Sequence, residues 1–157
     1  MRDIRFISKY RGGLLDKNEH ILLSRWASLC AEHVLNILGD KINEKLIEAL
    51  NVSKEWREGK TSVNKARKAA LEAFNVAKNS SNTIEKMVAC SIGHAVATAH
   101  MADHSLVASI YALKAVKILK GSFEDELKWQ EERLPNEIKD LVISKRCEDK
   151  YKNLLKK

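Results

Sequence analysis

Apolar side chains recur along this chain at steps of three and four residues, the period of one helix face. Leu22, Trp26, Leu29, Cys30, His33, Val34 and Ile37 form the first such stripe. The helix that carries it is predicted to start at Asp16 or Asn18 and to end at Gly39. Ile42, Leu46, Ile47 and Leu50 predict a second helix, capped by Asp40 or Asn43 and closed by Trp56 near Gly59. A third is predicted from Thr61 or Ser62, with Val63, Ala66, Ala70, Ala73, Phe74 and Ala77 inward and the turn at residues 79–82 ending it. Later, Gly121 and Ser122 open a helix whose first turn holds Glu124, Asp125 and Glu126, where the helix dipole favours acids. Pro135 marks a boundary, and residues 136–155 read as one amphipathic last helix carrying Ile138, Leu141, Val142, Tyr151, Leu154 and Leu155.

Residues 83–119 differ from the rest, being small and apolar almost throughout. As one rod they would span roughly 55 Å, against a radius of gyration of roughly 15 Å for a domain of this length. A break is therefore expected near residues 100–105, with Asp103 or Ser105 capping a second helix. His100 then falls in the last turn of the first, a position that favours a protonated imidazole. Four polar side chains interrupt the run: His94, His100, Asp103 and His104. In an unbroken helix His100, Asp103 and His104 would share a face as a partial metal site, and a break removes that spacing argument. Two readings of the cluster stand. Either the histidines hold the fold, with Gly93 and Ala97 letting helices approach closely, or they line a pocket for a metal or small ligand in a binding domain or enzyme.

One proline, six glycines and abundant Ala, Leu, Lys and Glu leave few breakers, so the fold class is all-α. The expected architecture is a compact bundle of about six to seven helices around a central alanine-rich hairpin. It is read as a single domain over 1–157, with 1–15 an N-terminal extension and 136–157 an amphipathic C-terminal helix. The cysteines, Cys30, Cys90 and Cys147, are odd in number and form no CxxC pattern, which points to reduced thiols. No apolar stretch has signal or membrane-spanning length, so a cytoplasmic protein is expected. The net charge is +7. Its densest stretch, Lys65, Arg67, Lys68 and Lys78, matches no nucleic-acid module. No phosphate loop, nucleophile elbow or zinc motif occurs, so no cofactor, metal or catalytic residue is assigned. Trp26, Trp56 and Trp129 are read as core or half-buried anchors.

Four stretches together carry a resemblance: SRWASLCAEHVL (24–35), EWREGKTSVNKARKAALEAFNVAK (55–78), ACSIGHAVATAHMADHSLVASIYALKAV (89–116) and KWQEERLP (128–135). Their combination is similar to a family of putative immunity proteins associated with bacterial polymorphic toxin systems, over most of residues 9–135. Trp56 and Gly59, ahead of the alanine-rich helix, support the register. The chain departs from the family's pattern at GDKINEKLI (39–47) and at Phe74-Asn75. The resemblance implies a small cytosolic binder that protects its own cell by occluding a cognate protein toxin, and it implies no chemistry. Immunity proteins against basic nucleases are expected to be acidic. A charge of +7 thus implies a neutral or acidic toxin, or contact through a local acidic patch at Glu124–Glu126, Glu131 and Glu132. Self-association through the 136–155 helix into a homo-oligomer is compatible with this reading.

Overall fold

The computed structural model describes residues 2–157, and side-chain caps open most of its helices. Asp16 accepts from the Glu19 amide while the Glu19 side chain accepts from the Asp16 amide, so a reciprocal capping box begins α1 (Lys17–Leu35). Asn43 caps α2 (Glu44–Arg57), Ser62 caps α3 (Val63–Asn79) and Asn82 caps α4 (Thr83–Ala97). Then follow α5 (His104–Ile118), α6 (Phe123–Glu132) begun by Ser122, α7 (Asn136–Arg146) and α8 (Asp149–Lys156). Between α1 and α2 the chain passes through a 3-10 stretch, Asn36–Lys41, in which Gly39 takes φ 56°.

Helix α4 lies at the centre, packed on α1, α2, α3 and α5, and α5 also meets α1, α6 and α8. Its residues explain that position. Val88, Ala89, Ile92, Gly93, Ala95 and Val96 are buried, so neighbours approach nearly all round it. At Gly93 the approach is closest: a Cβ there would sit 2.5 Å from the ring of Phe74 on α3. Phe74 fills the room that the glycine leaves.

Residues ahead of α1 fold back onto the body. Two 3-10 turns, Ile4–Phe6 and Lys9–Arg11, are followed by a lone parallel bridge between Ser8 and Leu15, which buries Phe6 and Leu15 in the core.

The polar core has two knots. Arg57 of α2 donates from Nη1 to the hydroxyls of Ser24, Ser28 and Ser53 at 3.1, 3.1 and 2.9 Å, joining α2 to α1. Arg146 of α7 donates to Gln130 Oε1 at 2.7 Å and Ser109 Oγ at 3.2 Å. Gln130 in turn gives its amide to the Ser109 carbonyl and takes the Trp26 indole N–H on its own carbonyl, so α1, α5, α6 and α7 share one network.

The all-α class stands, with eight α-helices among the described residues in place of the expected six to seven. The extra one comes from residues 136–157, which form α7 and α8 instead of a single helix. Glu148 is extended, at φ −69° and ψ 146°, and that turn lets Tyr151 enter the core. Three apolar inward assignments also fail, because Ile37, Ile47 and Val63 are exposed. Helix α1 ends at Leu35, so Ile37 falls in the 3-10 stretch beyond its stripe, while α1 itself is buried on a second side by Leu23, Ala27 and Ala31.

Candidate functional site

The break in the 83–119 run falls at Thr98–Asp103, starting two residues before the expected span, and it decides what the polar cluster becomes. His94 sits in the last turn of α4 and His104 is the first residue of α5. The hairpin brings their Nδ1 atoms to 2.9 Å. One ring must donate and the other accept, so the bond needs two neutral imidazoles in opposite tautomers or one proton shared between them. Phe74 meets His94 edge-on at 4.9 Å, and Tyr111 stacks on it at 5.5 Å.

Burial pushes the His94 imidazole down to about 3, with the nearby His104 adding to the effect. The His104 imidazole is lowered mainly by burial, against the pull of Asp103. His100 lies 5.4 Å from His104, ring to ring. The expected protonated His100 is not what the fold builds. The residue is in the turn and not in the last helical turn, and burial, then His104, Arg67 and Arg2, hold it down to about 4. Its Nδ1 is buried without a hydrogen-bond partner. Asp103 occupies the N-cap position of α5 in helical geometry, so its carboxylate makes no cap bond and lies 3.9 Å from Arg2 instead. Ser105, the other expected cap, donates to the Ala102 carbonyl. Three of the four residues therefore meet at one corner while Asp103 turns away. Among the described residues no group of three or more His, Cys, Asp or Glu side chains converges to hold a metal ion.

Beside this corner runs a groove that the sequence did not mark. Its wider part has a cavity of about 510 Å³ lined by Tyr10, Leu15, His20, Trp56, Val63 and Ala99. A narrow continuation shares Tyr10, His20, Val63 and Ala99 and reaches His100. The floor is rigid. The Nε2–H of His20 donates to the Thr98 carbonyl at 2.6 Å, and the His20 ring packs on Trp56 at 4.9 Å. Residues 8–20, 56–63 and 99–100 are remote in sequence and share no helical stripe. The signals available were Trp56 and Gly59 of the resemblance and a tyrosine amid basic residues at position 10.

The acidic patch expected around α6 is only partly committed, with Glu124, Asp125 and Glu132 left exposed. Glu126 is buried against His33 Nδ1 at 2.7 Å, Glu131 lies 3.6 Å from Arg146, and Glu132 lies 3.9 Å from Lys128. His33 itself stacks flat on Trp129 at 3.6 Å, with Arg133 at 4.0 Å from the same ring.

Among the described residues no helix is long and apolar enough to cross a membrane. The family model described as Imm-5 like putative immunity protein matches residues 13–137. No curated protein and no solved structure matches the chain.

Proposed function

We propose, for a chain that belongs to the Imm-5 like putative immunity protein family, that it binds a cognate bacterial toxin in the cytoplasm and neutralises it by covering the toxin's working surface. Family membership over residues 13–137 is the observation that carries this reading. The chemistry of the polar corner agrees with it: His94 and His104 are spent on each other, and burial favours their neutral, packed form over a titrating one. On this reading the protein acts by binding and not by catalysis, and its helices supply a preorganised surface that loses little freedom on association.

Co-expression with the toxin encoded beside its gene tests the reading. The expected result is restored growth, together with a stable complex when an inactivated toxin is co-purified. Failure both to protect and to bind overturns it.

A further inference from the structure

We infer that the groove between the N-terminal 3-10 segment and the start of α3 is the docking face, and that it takes an acidic segment of the protein partner anchored by an apolar side chain. The inference rests on the immunity reading and adds to it where the partner sits and what its contacting segment is made of. Three observations carry it.

The first is an apolar floor beneath an open aromatic. Leu15 and Trp56 pack against the core below, whereas Tyr10 is 82 % exposed at the rim. Tyrosine, tryptophan and arginine around a pocket are the residues on which binding energy concentrates.

The second is charge. Lys9, Arg11 and Lys17 line the groove, and none is ion-paired among the described residues. Arg11 stands 5.7 Å from the Tyr10 ring, which places a cation beside the aromatic. Asp16, the carboxylate in the same lining, accepts the Glu19 amide at 2.8 Å and feels the charge of Lys9 without closing to an ion pair, so the lining stays net positive. Three free cations over an apolar floor are complementary to carboxylates flanking an apolar residue.

The third observation is the narrow end, where Arg2 and Arg11 line the walls beside a His100 that burial holds neutral, so the basic character of the groove runs on to that end. A single nucleic-acid strand would also meet basic and aromatic groups here, but it needs a row of open ring faces for stacking. His20 and Trp56 are packed on each other and only Tyr10 is open, which favours the peptide.

The test uses the full chain, isotopically labelled, and a 12-residue peptide with Asp and Glu around one Phe and one Leu. Two controls accompany it, the same peptide with lysines for its acids and an oligothymidylate of equal negative charge. Saturable amide and indole shifts confined to Tyr10, His20, Trp56, Val63 and His100 are expected with the acidic peptide alone. The Arg11→Glu/Lys17→Glu double variant should weaken it at least tenfold and Tyr10→Ala several-fold. These side chains are exposed, and unchanged helical circular dichroism will show that the variants fold. Shifts elsewhere or none, an unaffected double variant, or tighter binding of the oligothymidylate would overturn the inference. Against the inactivated toxin, equal affinity of wild type and double variant removes the groove and leaves the immunity reading standing. A toxin that ignores the wild type removes that reading, and the peptide result then decides the groove by itself.

Discussion

Gly93 and the imidazoles beside it show how much of the core turns on single side chains. Because the Phe74 ring occupies the volume of a would-be Cβ, Gly93→Leu must displace that ring or push α3 off α4. The expected loss is about 1–3 kcal/mol, read as a lower urea midpoint, and an unchanged midpoint would contradict the close crossing. The neighbouring histidines impose a direction on pH. His94 and His100 titrate at about 3 and about 4 in the folded chain, against 6.5 for an unperturbed imidazole. Between those values the unfolded chain binds protons that the folded chain refuses. Their contribution is whole above about pH 6.5 and drains as the pH falls toward 4 and then 3. For His94 the slope approaches about 1.4 kcal/mol per pH unit, while part-exposed His100 adds less. Urea midpoints at pH 7 and pH 5 should differ in that sense, and the His94→Leu/His104→Leu variant should flatten the difference. Equal wild-type midpoints would show that the corner does not exclude protons.

At the scale of the element, the helices were legible wherever a cap or breaker punctuates a stripe. Asp16, Asn43, Ser62 and Ser122 all cap as their side chains allow. The division between α7 and α8 was not legible, since Cys147 and Glu148 carry no turn signal and the break is set by Tyr151 reaching the core. The second buried side of α1 was hidden for another reason: Ala27 and Ala31 read as neutral until a neighbouring helix covers them. The corner at Thr98–Asp103 was legible from length alone, although the pairing of His94 with His104 required the hairpin to close. The groove was beyond reach because it is assembled from three remote segments. One element ending carries a correctable cost. Lys120, after α5, holds φ 58°, a conformation that suits glycine. Lys120→Gly should raise stability by about 1 kcal/mol, seen as a higher melting temperature; a lower one would mean that the lysine side chain is worth more than the backbone relief.

For the whole molecule, a net charge of +7 becomes a matter of rate. Charge at that scale draws an oppositely charged partner from beyond contact range and is screened within roughly 10 Å at 0.1 M salt. If the partner is the proposed toxin, association with it should therefore slow about tenfold between 50 and 500 mM salt in stopped-flow mixing, while dissociation changes little. A salt-independent association rate would leave the excess charge with no part in recognition.

Arg57 has a different consequence, for the chain's history and not for its chemistry. Its Nη1 carries two hydrogens, yet three serine hydroxyls lie within reach of it. The joint between α1 and α2 is thus oversubscribed. Any one of Ser24, Ser28 or Ser53 can drift to alanine and both hydrogens still find an oxygen, so substitutions at the three positions are shielded from selection one at a time but not in pairs. The guanidinium has no such understudy. Lineages of this protein are expected to shuffle the serines while holding the arginine fixed.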